Sequence, residues 1–219
     1  MFKRLFGSGD KTPPPVTLAE VRNITVGRTV SLDTLAWTRL GDETKFTLDR
    51  DALEITAQGV VEMDGQFVHR FYTDDHVMLQ AMSDDAEGRV AYDFTLFTPW
   101  TSAYPPGDRE RRMWKDRLSE PLFDGAAEEL PAYPLFWFAE SDLRQPPVTL
   151  WESLYDSRTA TAPYSKIFQI CMLYARDLAG GRELMMALEM QPEDSSGKRG
   201  EVTHEIMIGI PLEVGEFRA

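Results

Sequence analysis

Carboxylates and histidines are the side chains in this sequence that acid–base or metal chemistry would use. Acidic residues occur in close pairs, but each pair falls in a predicted turn or loop, where water keeps both groups ionised and does not separate their pKa values. They include Asp74–Asp75, Asp84–Asp85 and Glu193–Asp194, together with the group Asp49, Asp51 and Glu54. The histidines His69, His76 and His204 are dispersed along the chain, whereas a zinc site needs several convergent ligands.

A nucleophile is equally hard to find. Cys171, the single cysteine, lies in the apolar run 167–175, which favours an inert buried thiol. The sequence contains no phosphate-binding loop, no dinucleotide-binding glycine motif and no serine-hydrolase motif. We therefore predict no catalytic residue, no metal ligand and no cofactor, and the balance favours a protein that is not an enzyme.

Aromatic residues crowd the middle of the chain and are the best candidates for contact with a ligand or partner. The five residues that we select are Trp100, Tyr104, Trp114, Trp137 and Trp151. One interpretation is a core that joins two β regions. The alternative is an aromatic-lined central pocket or groove with an acidic rim, which would suit a cationic ligand or a basic peptide.

The first sixteen residues form a separate unit. A basic and aromatic start is followed by glycine, serine and three consecutive prolines, a composition typical of a flexible tail and linker. The residues that could contact a membrane or a partner are Phe2, Lys3, Arg4, Leu5 and Phe6. Such a short segment gives only weak peripheral binding by itself, and the alternative is an inert tail.

The net charge of −13 excludes most anionic partners. An acidic protein repels phosphate backbones, so we expect no binding to nucleic acid. No apolar run is long enough for a membrane span, and the basic start lacks the apolar region of a secretory signal. The sequence therefore predicts a cytoplasmic protein, with a peripheral contact with the inner membrane as an extension that the tail would allow.

Alternating apolar and polar residues predict short strands from Thr44 to Phe97 and again from Ser165 to Ile210. We expect each region to be an antiparallel meander with one buried face. Asp64–Gly65 predicts a tight hairpin turn. A two-residue turn at Asp74–Asp75 would pair His69 with Gln80 on the next strand. A capping-box pattern at residues 17–20 predicts a short helix that ends near Asn23.

The predicted fold class is α+β and mostly antiparallel β, with two meanders flanking a proline-rich helical segment. Residues 17–219 would form one globular domain. Segments 44–100 and 165–211 have matching patterns: Gly88, Val90 and Pro99 in one have the same spacing as Gly200, Val202 and Pro211 in the other. They predict a duplicated unit with a pseudo-twofold axis, and the alternative is that any two meanders look alike.

The chain resembles the YjfK-like family of bacterial proteins of unknown function. The likeness is carried by the start Met1-Phe-Lys-Arg-Leu-Phe-Gly7, by Phe71-Tyr-Thr-Asp-Asp75, by the tryptophan- and proline-rich centre and by Ile208-Gly-Ile-Pro211. The resemblance implies a role beside a membrane-stress or membrane-remodelling system, with a phage-shock-type membrane-associated protein as partner. It implies no site residues.

From the sequence we expect a non-enzymatic interaction protein with a protein partner. The alternative is a small-ligand-binding or enzymatic domain that uses the aromatic centre with nearby carboxylates.

Overall fold

Eight antiparallel strands close into a barrel in the computed structural model, which describes residues 18–194 and 197–219. In chain order the elements are β1 (Thr29–Leu32), α1 (Leu35–Thr38), β2 (Ala52–Glu54), β3 (Ala57–Met63), β4 (Gln66–Tyr72), β5 (Met78–Ser83), β6 (Ala91–Ala103), α2 (Asp108–Leu118), β7 (Leu122–Phe123), β8 (Tyr133–Pro134), β9 (Val148–Tyr155), β10 (Ser165–Leu178), β11 (Gly181–Pro192), β12 (Thr203–Leu212) and β13 (Phe217–Arg218). Short 3₁₀ turns lie at Ala126–Glu128 and Val214–Glu216. The expectation of a mostly antiparallel β protein is confirmed.

The barrel is built from two runs of four consecutive strands. Around the barrel the order is β10, β11, β12, β6, β5, β4, β3 and β9, and β9 pairs with β10 to close it. The run β3–β6 therefore meets the run β9–β12 at two seams, β6 with β12 and β3 with β9. Closure gives every strand of the barrel two neighbours, which removes exposed edges.

Most barrel strands are buried on both faces, which differs from the expectation of meanders with a single buried face; β9 keeps an exposed outer face at Thr149 and Trp151. Inward-facing side chains such as Val68, Leu173 and Met186 form one apolar cluster. Outward-facing side chains such as Phe71 and Leu96 pack against a covering layer. The segment 18–55, the β1–β2–β13 sheet and α2 supply that layer, so in most barrel strands alternation separates the barrel interior from a second buried face.

Two turns differ from their sequence-based expectations. Val21 and Ile24 close a tight turn in which Arg22 and Asn23 have positive φ, so the predicted short helix is absent. The chain needs this turn to lay Val21 and Ile24, both fully buried, against the barrel.

The turn after β4 is longer than a two-residue hairpin. The amide of Thr73 donates to the carbonyl of Val77, and His76 takes a left-handed conformation with φ 65°. His69 consequently pairs with Ala81, and Arg70 pairs with Gln80. A register shift of one residue exchanges the faces of a strand pair, and here it places Arg70 and Gln80 together inside the barrel.

Candidate functional site

Four polar side chains form a layer across the middle of the barrel. The polar layer consists of Arg70 from β4, Gln80 from β5, Glu152 from β9 and Gln169 from β10, each at most 8% exposed. Arg70 Nη1 donates to Glu152 Oε2 at 2.9 Å and to Gln169 Oε1 at 2.8 Å. Arg70 Nε donates to Gln80 Oε1 at 3.0 Å, and Gln169 Nε2 donates to Glu152 Oε2 at 2.6 Å.

The polar layer places the Arg70 guanidinium against the side chain of Glu152 inside the barrel. Burial alone would lower the pKa of Arg70, but the Glu152 carboxylate outweighs burial and raises it. The Tyr72 hydroxyl donates to Glu152 Oε1 at 2.7 Å. The pKa of Tyr72 is raised mainly by burial and, to a smaller extent, by the nearby Glu152 side chain. Gly59 makes room for the carboxylate, since a Cβ at that position would lie 1.7 Å from Glu152 Oε1.

A cavity of about 400 Å³, the first chamber, lies on one side of the polar layer. Its floor contains Arg70 and Glu152, and its mouth is formed by Asp74, His76 and Glu205. The apolar part of the lining comprises Ala57, Met78, Leu154, Ile167, Leu188, Met190 and Met207, and polar groups are added by Thr56, Tyr72, Thr73, Tyr164 and Gln169. The chamber therefore combines a polar floor with an apolar body, as ligand pockets commonly do.

Glu205 at the mouth of the first chamber lacks an ion-pair partner in the described part of the chain. Burial raises the pKa of its carboxyl group, and His76 nearby and a 3.4 Å hydrogen bond from Ser102 oppose that rise only in part. The buried glutamates of the neighbouring strands are all paired: Glu152 with Arg70, Glu183 with Arg176, and Glu189 with Arg111, Lys115 and His204. Glu205 is thus a partly buried carboxyl group at the mouth of a cavity.

A second cavity of about 380 Å³, the second chamber, lies on the other side of the polar layer. Positions along one strand show the division, because Met78 of β5 lines the first chamber and Met82 of the same strand lines the second. Phe136 and Trp137 lie at its mouth, and their amides both donate to the carbonyl of Leu173, at 2.9 and 3.2 Å.

Methionine is the characteristic residue of the barrel interior. Of the ten methionines in the chain, six face the interior: Met63, Met78, Met82, Met186, Met190 and Met207. Unbranched, polarisable thioether side chains adapt to ligands of different shape and make favourable contacts with aromatic rings. The interior is therefore suited to apolar molecules.

Two further buried carboxylates fasten the covering layer to the barrel. Glu183 accepts hydrogen bonds from the amide of Lys45 at 2.5 Å, from the Tyr133 hydroxyl at 2.6 Å and from Arg176 Nε at 2.6 Å. Glu189 accepts from Arg111 of α2 at 2.9 Å. These contacts lie on the outer face of the barrel and account for the two carboxylates as structural groups.

The five aromatic residues selected from the sequence are not brought together. Trp100 and Trp114 are half-buried in the covering layer, and their indole N–H groups donate to the carbonyls of Glu128 and Leu188. Tyr104 is 71% exposed and Trp151 is 42% exposed. Trp137 alone of the five lines a barrel chamber. The contact residues predicted in the tail, 2–6, lie outside the described residues.

The histidines and the cysteine occupy unrelated places. His204 stacks on Trp114 with ring centroids 4.7 Å apart and contacts Glu189 at 3.2 Å, and burial lowers its pKa. His69 faces outward, fully buried, and neither ring nitrogen has a hydrogen-bond partner within the part of the chain that the structure describes. Burial raises the pKa of the Cys171 thiol to about 11, which opposes nucleophilic reactivity. Among residues 18–194 and 197–219 no three His, Cys, Asp or Glu side chains group as metal ligands would.

No helix in the described ranges combines the length and apolarity that a membrane-spanning helix requires.

One family model matches residues 1–218, and its description is a protein of unknown function, DUF2491. No curated protein and no solved structure matches the chain.

Proposed function

We propose that this protein, which belongs to the DUF2491 family of unknown function, binds a small and mostly apolar molecule in the first chamber of its barrel. The observation that carries the proposal is the enclosed space of about 400 Å³ between the polar layer and Glu205. Small-molecule pockets usually have volumes of roughly 300–1,000 Å³, and eight-stranded barrels are just wide enough to hold one small ligand.

The floor of the first chamber offers the ligand a hydrogen-bond donor. Three of the bonds made by Arg70 go to oxygen atoms of the polar layer, but among the described residues Arg70 Nη2 has only the sulfur of Met186, at 3.9 Å. Sulfur is a weak acceptor. A ligand oxygen that reached the floor would give this nitrogen a stronger acceptor and would fix the orientation of the ligand.

The charges that line the first chamber disfavour an anionic ligand. Arg70 is already neutralised by Glu152, and Asp74 and Glu205 stand at the mouth. The protein as a whole carries a net charge of −13. A neutral or cationic molecule avoids repulsion from these carboxylates.

The test is a titration with N-phenyl-1-naphthylamine, a neutral probe whose fluorescence rises in apolar surroundings. Ala57→Phe places a ring in the first chamber, and Val60→Phe adds the same ring to the outer face of the same strand. We expect Ala57→Phe to weaken binding at least about tenfold, or 1.4 kcal/mol, and Val60→Phe to leave it unchanged. Absence of binding to the wild-type chain, or equal binding by both variants, would overturn the proposal.

A role in protein–protein interaction is the second candidate. It is supported by Trp151, which is 42% exposed on the outer face of β9 and lines a shallow groove with Phe67 and Tyr155. Exposed tryptophan is enriched among the residues that dominate binding at protein interfaces. The role beside a membrane-stress system, implied by the family resemblance, belongs to this second proposal.

A further inference from the structure

The second chamber is lined by a side-chain amide group whose nitrogen has no hydrogen-bond partner among the described residues. Gln80 is 8% exposed, and its side chain lines the second chamber. Its oxygen accepts from Arg70 Nε at 3.0 Å, and an arginine offers only donors, so the amide nitrogen must point away from Arg70. Within residues 18–194 and 197–219 that nitrogen has no acceptor. This nitrogen is not sealed from solvent, so water in the chamber can reach it, and a ligand acceptor would take the place of that water.

A second polar group stands beside the amide. Thr95 lies directly opposite Gln80 in the pairing of β5 with β6, is 8% exposed and also lines the second chamber. Its hydroxyl group has no hydrogen-bond partner in the described ranges either. Two adjacent side chains therefore present an N–H donor and a hydroxyl to the same enclosed space.

The remaining walls of the second chamber are mostly apolar, and two of its three charged groups, Arg70 and Arg182, are ion-paired. The apolar lining includes Met63, Val68, Met82, Leu150, Leu173 and Leu184. At the mouth, Arg182 Nε is bound to Asp177 at 2.8 Å, and Asp93 is exposed to solvent. An ionic ligand would leave water without gaining an unpaired opposite charge inside.

From this arrangement we infer that the second chamber is a separate binding site for a small neutral molecule with an apolar body and one acceptor oxygen, such as an aromatic ketone. The oxygen accepts from Gln80 Nε2 and the Thr95 hydroxyl, and the apolar body lies against the methionines and Trp137. This site is distinct from the first chamber, because the polar layer separates the two.

The test compares two probes of similar shape, 1-acetonaphthone and 1-ethylnaphthalene, by isothermal titration calorimetry. They differ in the carbonyl oxygen, so their affinity ratio reports the proposed hydrogen bonds net of the cost of removing that oxygen from water. The wild-type chain should bind the ketone about three- to tenfold more tightly, the net effect of one hydrogen bond. Thr95→Val, which keeps the shape of the side chain, should reduce this ratio, and Gln80→Met should bring it close to one.

Two blocking variants assign the site. Leu184→Trp fills the second chamber and should abolish the preference for the ketone, whereas Ala57→Phe in the first chamber should leave the affinity ratio unchanged. Equal affinity of the wild-type chain for both probes would overturn the inference, and so would a preference that survives Thr95→Val and Gln80→Met. A preference lost with Ala57→Phe would move the ketone to the first chamber and would equally refute it. Because Thr95→Val leaves Arg70 and its partners in place, the test holds even if Gln80→Met fails to fold.

Discussion

Replacing Glu152 by glutamine tests whether the polar layer is held together by charge. The substitution keeps the size of the side chain but leaves the Arg70 guanidinium, 2% exposed, without its counter-ion. Breaking a buried ion pair by removing one partner typically costs about 3–5 kcal/mol. For a chain of this length each kcal/mol lowers Tm by roughly 2–4 °C, so Glu152→Gln should lower it by about 6–20 °C.

The pairwise part of this loss is measured by a double-mutant cycle with Arg70→Met. Each single variant leaves one buried charge uncompensated, whereas Arg70→Met/Glu152→Gln leaves none. The double variant should therefore be more stable than the sum of the single losses predicts, by about 3 kcal/mol, the upper end of the range for residues in contact. Urea unfolding followed by circular dichroism gives the four free energies of unfolding.

An exposed ion pair supplies the matched control. Arg182 and Asp177 lie 2.8 Å apart with side chains 46% and 78% exposed, and Asp177→Asn should cost at most about 1 kcal/mol. If Glu152→Gln cost no more than Asp177→Asn, or if the cycle with Arg70→Met were additive, the account of the polar layer as a charge-compensated pair would be refuted.

Two further predictions concern the mouth and the outer face of the barrel. Burial raises the pKa of Glu205 above the ordinary 4.5, so the folded state favours its protonated form. The stability that protonated Glu205 contributes is fully present below pH 4.5 and is lost as pH rises through the raised pKa. Glu205→Gln should therefore raise Tm at pH 7 and not at pH 4. A gain in Tm at both pH values would contradict this. On the outer face, Trp151→Ala should reduce capture of a protein partner at least about tenfold, as loss of a central interface tryptophan does, while the exposed control Phe138→Ala should not; equal capture by both would remove Trp151 as the contact.

Local features of the fold followed from local sequence signals. Asp64 and Gly65 have φ of 51° and 83°, as the tight hairpin turn requires. The alternation Val68, Arg70, Tyr72 predicted that these residues share one face of a strand, and they all face the barrel interior. Such patterns are fixed by the two-residue period of a strand, which needs no knowledge of distant partners.

The polar layer could not be located in the same way. Alternation groups residues by face, but the closure of the barrel decides which face is inside, and closure depends on the seams between residues far apart in sequence. A signal existed in Arg70, a charged residue between the apolar Val68 and the amphipathic Tyr72. The expected pairing of His69 with Gln80 hid it, since that register separates Arg70 from Gln80.

The aromatic residues were misleading because a large ring serves a covering layer as well as a pocket. Trp100 and Trp114 fill space outside the barrel and satisfy their N–H groups on backbone carbonyls. The space inside is lined by methionine, a residue that sequence patterns do not separate from ordinary core. Only tertiary structure distinguishes Met78 and Met207, which line a chamber, from Met172 and Met185, which pack outside it.

The duplication hypothesis predicts particular residue pairs at the seam between β6 and β12. Gly88 and Gly200 are 112 positions apart, as are Pro99 and Pro211 (200 − 88 and 211 − 99). A twofold axis would then turn the pair of Thr95 with Pro211 into a pair of Met207 with Pro99. Both pairs occur, and the pair Phe97 with Gly209, the same distance apart in sequence, lies on the axis.

The same axis would exchange the two ends of the barrel, and with them the two chambers. In one half of the barrel, Thr95 pairs with Gln80, which pairs in turn with Arg70 on the next strand. In the other half, the equivalent pairs join Met207 to Met186 and Met186 to Leu173. A polar ladder in one half thus corresponds to an apolar ladder in the other. If the halves share an ancestor, the hydrogen-bonding groups of this polar ladder arose or persisted in one half alone, and the two chambers, although related by symmetry in the backbone, would differ in the ligands that they select.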